Sequence, residues 1–329
     1  MNYITITTRH HEGFCLFNSR YTEYDVMDKT ALKRDLIKEM ADACQAERLK
    51  LCLYYSLVDW HHPDYYPRGK TGKSTARPDT GKFDRYVTYM QNQLTELLTN
   101  YGPVTAIWFD GEWDGPKVDW RFNDIYNTIH RMQPNCLVGN NHHHATVSGE
   151  DFQMFEQGLP GANTHGWIVG KPTVAATIPP ETCETMNKSW GYNVKDNDFK
   201  SAIQIEELLV KAAALNANLL LNVGPTGAGL LTPQNVDTLA KVGRWVAANK
   251  GLLFGRKGKT LFEGGALLDG GAYVSKGAGE AVVLPAGMVA GVKTISYRKD
   301  GQAPKAVTFE RTRVGIVLVS EGRGVYNFR

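Results

Sequence analysis

The sequence predicts an α/β protein with a (β/α)8-like, TIM-type barrel followed by a small C-terminal β-sandwich. Short apolar segments alternate with helical patterns of ten or more residues up to about residue 250, which favours a parallel sheet with helices outside it. Polar and aromatic clusters follow the ends of successive segments, as in a closed barrel. After about residue 251, glycine-punctuated short runs replace the helical periodicity. We therefore expect a barrel domain over 1–250 and a β-sandwich domain over 251–329.

The composition is that of a globular protein without a strongly charged partner. The 329 residues are 42% hydrophobic and 22% charged, with a formal net charge of +3, which gives no reason to expect nucleic acid or an acidic membrane surface. No apolar run is long enough to span a bilayer, and the first residues show no secretory leader. The five cysteines lack CxxC spacing. Four of them lie in or beside apolar runs, which predicts buried thiols at Cys15, Cys44, Cys52 and Cys136.

Apolar periodicity places the elements of the barrel in order. Runs rich in β-branched and aromatic residues predict strands over 3–8, 49–56, 104–110, 136–139 and 218–223. Apolar positions at helical spacing predict helices over 35–46, 83–100, 121–131, 202–215 and 236–248. Residues 67–82 are rich in Pro, Gly, Lys and Thr and predict a loop. No GxGxxG or Walker pattern occurs, which disfavours an open doubly wound sheet.

The C-terminal part carries short apolar runs separated by turn residues. These runs predict antiparallel strands at Ala281–Leu284, Val292–Tyr297, Ala306–Phe309 and Val314–Val319. Such short strands without intervening helices are typical of a sandwich.

The predicted strand over 104–110 ends on a carboxylate, Asp110, which Gly111 follows. An acid at the carboxyl end of a buried barrel strand, with aromatic residues on both sides, occupies the position where barrel enzymes place their chemistry. An Asp that caps the next turn would explain the same pattern equally well.

Two histidine tracts are candidate binding residues. His10 and His11 follow the first strand, and at a strand end both side chains can turn inward through the loop, although a hydrogen-bonded structural pair fits as well. Short tracts such as His142-His143-His144 can bind metal ions. Three consecutive histidines do not easily ligate one ion, however, and no HExxH spacing is present, so a metal site is disfavoured.

Carboxylates on separate loops suggest glycosidase chemistry. A retaining glycosidase needs a nucleophilic carboxylate and a second carboxyl group about 5 Å away. Asp110 could be the first of these, and several later acids could be the second: Glu150, Asp151, Glu156, Glu181 and Glu184. Aromatic side chains suit the apolar faces of a sugar, although most such residues simply form the core: Tyr54, Tyr55, Trp60, Trp108, Trp113 and Trp190.

An ordered set of motifs over about residues 3–250 resembles the α-L-fucosidases of glycoside hydrolase family 29. The motifs are TTRHHEGF from Thr7, YYS from Tyr54, WFDG from Trp108, FEQ from Phe155, SWGY from Ser189 and LLLNVGP from Leu219. The resemblance implies a (β/α)8-like barrel with a C-terminal β-sandwich and a retaining mechanism that uses neither a metal nor an organic cofactor.

Position by position, the resemblance implies a role for each matched residue. Asp110 would be the nucleophile, and Trp108 would face the sugar. His10 and His11 would hydrogen-bond fucose hydroxyls, and one of Tyr54 or Tyr55 would do the same. The acid/base position varies within the family. Glu156 is the first choice and Glu181 the second, because Glu181 aligns with the Glu of a Trp-Glu pair in which Pro180 replaces the Trp.

The sequence departs from the family pattern in two places. The family usually has an Arg where this chain reads Asn140-Asn141-His142, so either His142 contacts the substrate in its place or that contact is lost. The first barrel strands of the family precede the His-His strand, and here few residues do. The chain therefore resembles a member that lacks its N-terminal portion, with an incomplete barrel and exposed strand edges. If that part carried a secretion signal, the protein would be periplasmic or secreted, and otherwise it would be cytoplasmic, so the localisation stays open.

Three functions remain open from the sequence. The leading one is an exo-acting retaining α-L-fucosidase that releases fucose from oligosaccharides or glycoconjugates. The second is a truncated, catalytically impaired fucose-binding homologue, and the third, less favoured, is a metal hydrolase that uses the histidines. The sequence leaves a homo-oligomer open and does not give the linkage preference.

Overall fold

The computed structural model describes residues 1–78, 80–168, 170, 172–254, 258–268, 270–299, 302–313 and 315–329. These residues form two compact units. The first is made of Met1–Met154 with Trp167–Pro179, and the second of Phe155–Gly166 with Pro180–Arg329.

The first unit alternates strands and helices. Its strands are β1 (Tyr3–Arg9), β2 (Lys50–Ser56), β3 (Ala106–Asp110), β4 (Leu137–Asn141) and the start of β5 (Phe152–Glu156). Its helices are α1 (Val26–Lys29), α2 (Leu36–Ala46), α3 (Phe83–Asn100) and α4 (Phe122–Met132). Each strand pairs in parallel with the next, and helices lie in the connections from β1 to β2, from β2 to β3 and from β3 to β4.

Helix α3 illustrates how the sequence builds this unit. Its buried residues include Tyr86, Met90, Leu94 and Leu97, which recur every three or four positions and so form one apolar face. That face joins the main hydrophobic core of the unit, which includes Leu53 of β2. The packing leaves the carboxyl ends of the strands to carry polar side chains.

The second unit begins with the last residues of β5 and continues the parallel pattern. It contains β6 (Pro180–Thr185), α5 (Ala202–Ala214), β7 (Asn218–Asn222), α6 (Pro233–Ala248) and α7 (Lys250–Leu253). Strand β6 pairs in parallel with β7, and the seven strands run in sequence order from β1 to β7. Ser201 and Gln204 form a reciprocal capping box at the start of α5.

Two antiparallel sheets complete the second unit. Their strands are β8 (Gly258–Phe262), β9 (Gly265–Leu268), β10 (Gly271–Val274), β11 (Ala281–Pro285), β12 (Ile295–Arg298), β13 (Lys305–Val307), β14 (Phe309–Thr312), β15 (Gly315–Val319) and β16 (Gly324–Phe328). One sheet has the order β13-β12-β16-β10-β9-β8 and the other β11-β15-β14. Leu284 and Leu318 of the smaller sheet share an apolar cluster with Leu267 and Tyr326 of the larger one.

The structure confirms an α/β chain with parallel strands followed by antiparallel sheets. The incomplete barrel, the sandwich and the boundary at residue 250 stay predictions. Strands β5 and β6 were not predicted, because polar residues interrupt the apolar pattern of FQMFE and PETCET. The single strand predicted over Ala306–Phe309 is wrong, since β13 ends at Val307 and β14 starts at Phe309 in the other sheet. Val314 lies outside the described residues.

The prediction of buried thiols agrees with the structure. All five cysteines are buried, and none forms a disulfide. Within the described ranges, no helix combines the length and the apolar character needed to cross a membrane.

Candidate active site

Asp110 ends β3 as a buried carboxylate with a hydrogen-bond donor on each oxygen. The Tyr54 hydroxyl donates to Oδ2 over 2.8 Å. Trp113 Nε1 and the Asn141 amide donate to Oδ1 over 3.1 and 3.2 Å. The side chain is 12% exposed, so the carboxylate is oriented by fixed donors and still reaches solvent.

Strand register brings these groups together. In the parallel ladders Ser56, Asp110 and Asn141 are direct neighbours at the ends of β2, β3 and β4. Gly111 then turns the chain with φ 102°, where an added Cβ would lie 2.6 Å from a methyl carbon of Val58. Gly111 itself occupies the N-cap position of the following 3-10 turn, so the interpretation of Asp110 as a cap is wrong.

His11 presents an unprotonated nitrogen to Asp110. The Ser56 hydroxyl donates its one proton to the Val58 carbonyl over 2.8 Å. Its oxygen therefore accepts a hydrogen bond from the N–H of His11 Nδ1 over 2.7 Å. The lone pair of Nε2 therefore faces Asp110 Oδ2 at 3.6 Å. Burial lowers the pKa of His11 from 6.5 to about 4, against the opposing influence of Asp110, and His11 is neutral at neutral pH.

His10 lies beside this pair and is exposed to solvent. Its ring stacks on Tyr54 with centroids 5.2 Å apart, and its centroid is 4.2 Å from that of His11. The ligand atoms of His10, His11 and Asp110 all lie within 4.8 Å of one another, and they are the one such group of three found among the described residues.

The two tyrosines of β2 point in opposite directions, as adjacent strand residues must. Tyr54 reaches Asp110, whereas the hydroxyl of the fully buried Tyr55 donates to Gln93 over 2.8 Å inside the core. Trp108 is 6% exposed, and its ring stacks on Tyr54 with centroids 5.4 Å apart. Of the two tyrosines, Tyr54 is therefore the one beside the carboxylate.

Arg9, the residue before the two histidines, forms a buried ion pair with Asp59. Arg9 donates to Asp59 over 2.7 Å and to the Ser56 carbonyl over 2.6 Å, with no exposed surface. The other oxygen of Asp59 accepts the backbone amides of His61 and His62. This pair ties the end of β1 to the loop after β2. The sequence signal for this ion pair is an Arg within an otherwise apolar and β-branched strand, and Arg9 was not among the predicted site residues.

His142 does not take the place of an arginine against Asp110. Its Nε2 lies 2.9 Å from Glu150 Oε1, and both side chains are almost fully buried. Its ring stacks on His144, whose Nε2 is 3.5 Å from Glu112 Oε2. The residue of this segment that donates to Asp110 is Asn141, which was not among the predicted site residues because the contact depends on the register between β3 and β4.

The two acid/base candidates belong to the second unit. Glu156 is the half-buried last residue of β5. Glu181, the second residue of β6, is buried and pairs with Asn218 in the ladder with β7. The two residues therefore differ in their exposure to solvent.

Comparison with known proteins identifies relatives of this chain. A family model described as α-L-fucosidase matches residues 1–251. The chain is 30% identical to the tissue α-L-fucosidase of Homo sapiens over 268 residues, which cover 78% of this chain and 52% of that protein. The Mus musculus enzyme is also 30% identical, over 269 residues, 78% of this chain and 54% of that protein. The chain thus spans about half the length of the curated relatives it matches.

Solved structures give the same picture. The α-L-fucosidase isoenzyme 1 of Paenibacillus thiaminolyticus superposes with a TM-score of 0.76 at 32% identity, covering 100% of this chain and 83% of that one. An α-L-fucosidase of Lactobacillus casei in complex with its α-L-fucose product gives 0.64 at 29%, covering 76% of each chain. A Bacteroides thetaiotaomicron fucosidase gives 0.78 at 23%, covering 100% and 77%, and supports the fold alone.

Proposed function

The chain belongs to the α-L-fucosidase family, glycoside hydrolase family 29, and we propose that it is an exo-acting retaining α-L-fucosidase. Its substrates are fucosylated oligosaccharides or glycoconjugates. The observation that carries the proposal is the Asp110 carboxylate. It ends a parallel strand, accepts bonds from three side chains and faces the free lone pair of His11.

In the first step an oxygen of Asp110 attacks the anomeric carbon of the fucosyl group. The bond from that carbon to the leaving oxygen breaks, and a protonated carboxyl group gives its proton to this oxygen. The product is a covalent fucosyl-enzyme. In the second step the acid/base, now a carboxylate, takes a proton from water. The water oxygen attacks the anomeric carbon, the bond from that carbon to Asp110 breaks, and Asp110 is released. The configuration of the sugar is retained.

The acid/base in this proposal is Glu156, with Glu181 as the second choice. The residue in this role must hold a proton before the first step and lose it afterwards, which burial near a negative charge favours. Replacement of the acid/base slows substrates with poor leaving groups most, because an activated aryl leaving group departs without protonation. Glu156→Gln and Glu181→Gln therefore separate the two candidates.

Substrate contacts follow from the side chains around Asp110. Nε2 of neutral His11 accepts a hydrogen bond from a sugar hydroxyl, and exposed His10 contacts a neighbouring hydroxyl. Trp108 and Tyr54 form an aromatic surface for the apolar face of the sugar, in keeping with their stacked rings. Tyr55, the other predicted substrate contact of β2, is instead bonded to Gln93 in the core. His142 is the remaining proposed substrate contact, and its ring is hydrogen-bonded to Glu150.

Mass spectrometry with 2-fluoro-fucosyl fluoride, the compound used for a trapped covalent intermediate of a Bacteroides thetaiotaomicron relative, tests the proposal. The wild type should gain one fluorofucosyl group and release 4-nitrophenol from its α-L-fucoside with or without chelator. Asp110→Asn should do neither. A folded wild type that binds L-fucose without labelling or turnover would instead be an impaired homologue, and loss of turnover with chelator would favour a metal hydrolase.

A further inference from the structure

Ligand atoms of His10, His11 and Asp110 lie close together at the carboxyl ends of β1 and β3. Their ligand atoms lie within 4.8 Å of one another. Two imidazole nitrogens and one carboxylate oxygen form a set that zinc and neighbouring transition metals prefer, whereas magnesium and calcium prefer oxygen alone.

The contact between His11 and Asp110 lacks a proton donor. Ser56 fixes the proton of His11 on Nδ1, so Nε2 and the carboxylate oxygen are two acceptors facing each other. Their separation of 3.6 Å is too long for a direct hydrogen bond. It is close to the distance of about 3.4 Å between two ligands that each lie about 2.1 Å from a tetrahedral zinc ion.

The supporting contacts hold two of the three ligands in place. Tyr54, Trp113 and Asn141 orient Asp110, and Ser56 selects the tautomer of His11. Such outer contacts are what ligand residues in metal sites require. The third ligand, His10, has a side chain that is 46% exposed; its ring stacks on Tyr54, and its Nδ1 lies 3.8 Å from Glu12 Oε2.

We infer that His10, His11 and Asp110 form a site for one divalent transition-metal ion such as Zn²⁺, with a fourth position open to water. The ion would be bound by the same histidine and Asp110 atoms that are proposed to contact fucose. Zinc and fucose should therefore exclude each other, a consequence that rests on the proposed function, whereas metal binding itself does not.

Equilibrium dialysis of the full chain against Zn²⁺, together with visible absorption after Co²⁺ addition, tests the site. The wild type should bind one ion with the absorption of tetrahedral cobalt. His10→Ala and His11→Asn should each weaken binding by about a hundredfold, and Ser56→Ala by about tenfold, in line with outer-contact losses in metal sites. His61→Ala is the matched control, because His61 is an exposed histidine outside the trio and should leave binding unchanged.

Each outcome decides one part of the inference. Equal zinc binding by wild type and by His11→Asn, or an equal loss in His61→Ala, would overturn the site. Addition of L-fucose should raise the apparent dissociation constant for zinc, and Mg²⁺ should not compete with it. Zinc binding that depends on His10 and His11 but ignores L-fucose would overturn the mutual exclusion and leave the site standing.

Discussion

The two compact units bury different kinds of side chain. The first unit buries many acidic, basic and histidine side chains: Arg9, His11, Asp25, Asp59, Glu96, Asp110, Glu112, Asp114, His142 and Glu150. In the second unit, Glu181 is the one charged residue with comparable burial among those the structure describes. Its antiparallel sheets instead share an apolar cluster that includes Leu284, Leu318 and Tyr326.

The difference shows what a functional site requires of its surroundings. A buried charge is tolerated only with partners, and the first unit supplies them. Asp114, for example, accepts the Tyr65 hydroxyl over 2.7 Å and the Thr71 amide over 2.7 Å. The C-terminal sheets need only apolar side chains of fitting volume. Buried Glu181 lies outside these sheets, in the parallel strand β6.

The largest expected effect on stability comes from breaking the buried ion pair between Arg9 and Asp59. Arg9→Met leaves Asp59 buried without its cation, so we expect a loss of about 3–5 kcal/mol in the free energy of unfolding. Urea unfolding followed by tryptophan fluorescence measures it. The control is Lys241→Met, which removes an exposed pair with Asp237 in the second unit and should cost less than about 1 kcal/mol. Equal costs for the two variants would contradict the comparison.

The apolar side of the comparison is tested at Leu318, which is 2% exposed in the shared cluster. Leu318→Ala leaves a cavity and should cost about 2–4 kcal/mol in the free energy of unfolding, measured in the same way. Val319→Ala, at the exposed neighbour on the same strand, should cost less than about 1 kcal/mol. A small effect at Leu318 would mean that the sheets do not depend on close packing.

The sequence predicts the elements better than it predicts their partners. Helix 83–100 has the predicted bounds, because its apolar periodicity is strong enough to fix both ends. The contact from Asn141 to Asp110 depends on the register between β3 and β4, which no local pattern determines. Arg9 was missed for a related reason. Its partner Asp59 lies 50 residues away in the sequence, so its burial follows from the fold.

Within the candidate site, too, the positions of residues could be predicted better than their contacts. Asp110 and the adjacent histidines could be predicted because they sit at strand ends and match a family pattern. The choice between Tyr54 and Tyr55 could not be made, since it depends on which face of β2 meets the core. His142 was assigned to the substrate by its position in the sequence and stays a prediction, whereas its hydrogen bond to Glu150 was not predicted.

A pH effect of intermediate size is expected at His11. Its pKa is about 4 in the folded state and about 6.5 when unfolded, so the unfolded state binds more protons as the pH falls below 6.5. Between pH 7 and pH 5 the wild type should therefore lose about 2 kcal/mol more stability than His11→Gln. Urea titrations at both pH values measure this difference. Identical losses in both proteins would show that His11 is not held neutral by burial.

The smallest effect should have the opposite sign, at His144. A hydrogen bond to Glu112 raises the pKa of His144 above 6.5. The folded state then binds the extra proton, so the stabilisation is present below pH 6.5 and is lost as the pH rises through the folded pKa. The side chain is 43% exposed, and solvent screening limits the gain to less than about 1 kcal/mol. His144→Gln should thus destabilise the protein slightly at pH 6 and not at pH 9. Glu112→Gln should remove that pH dependence in the histidine background, whereas an equal cost of His144→Gln at both pH values would contradict the assignment.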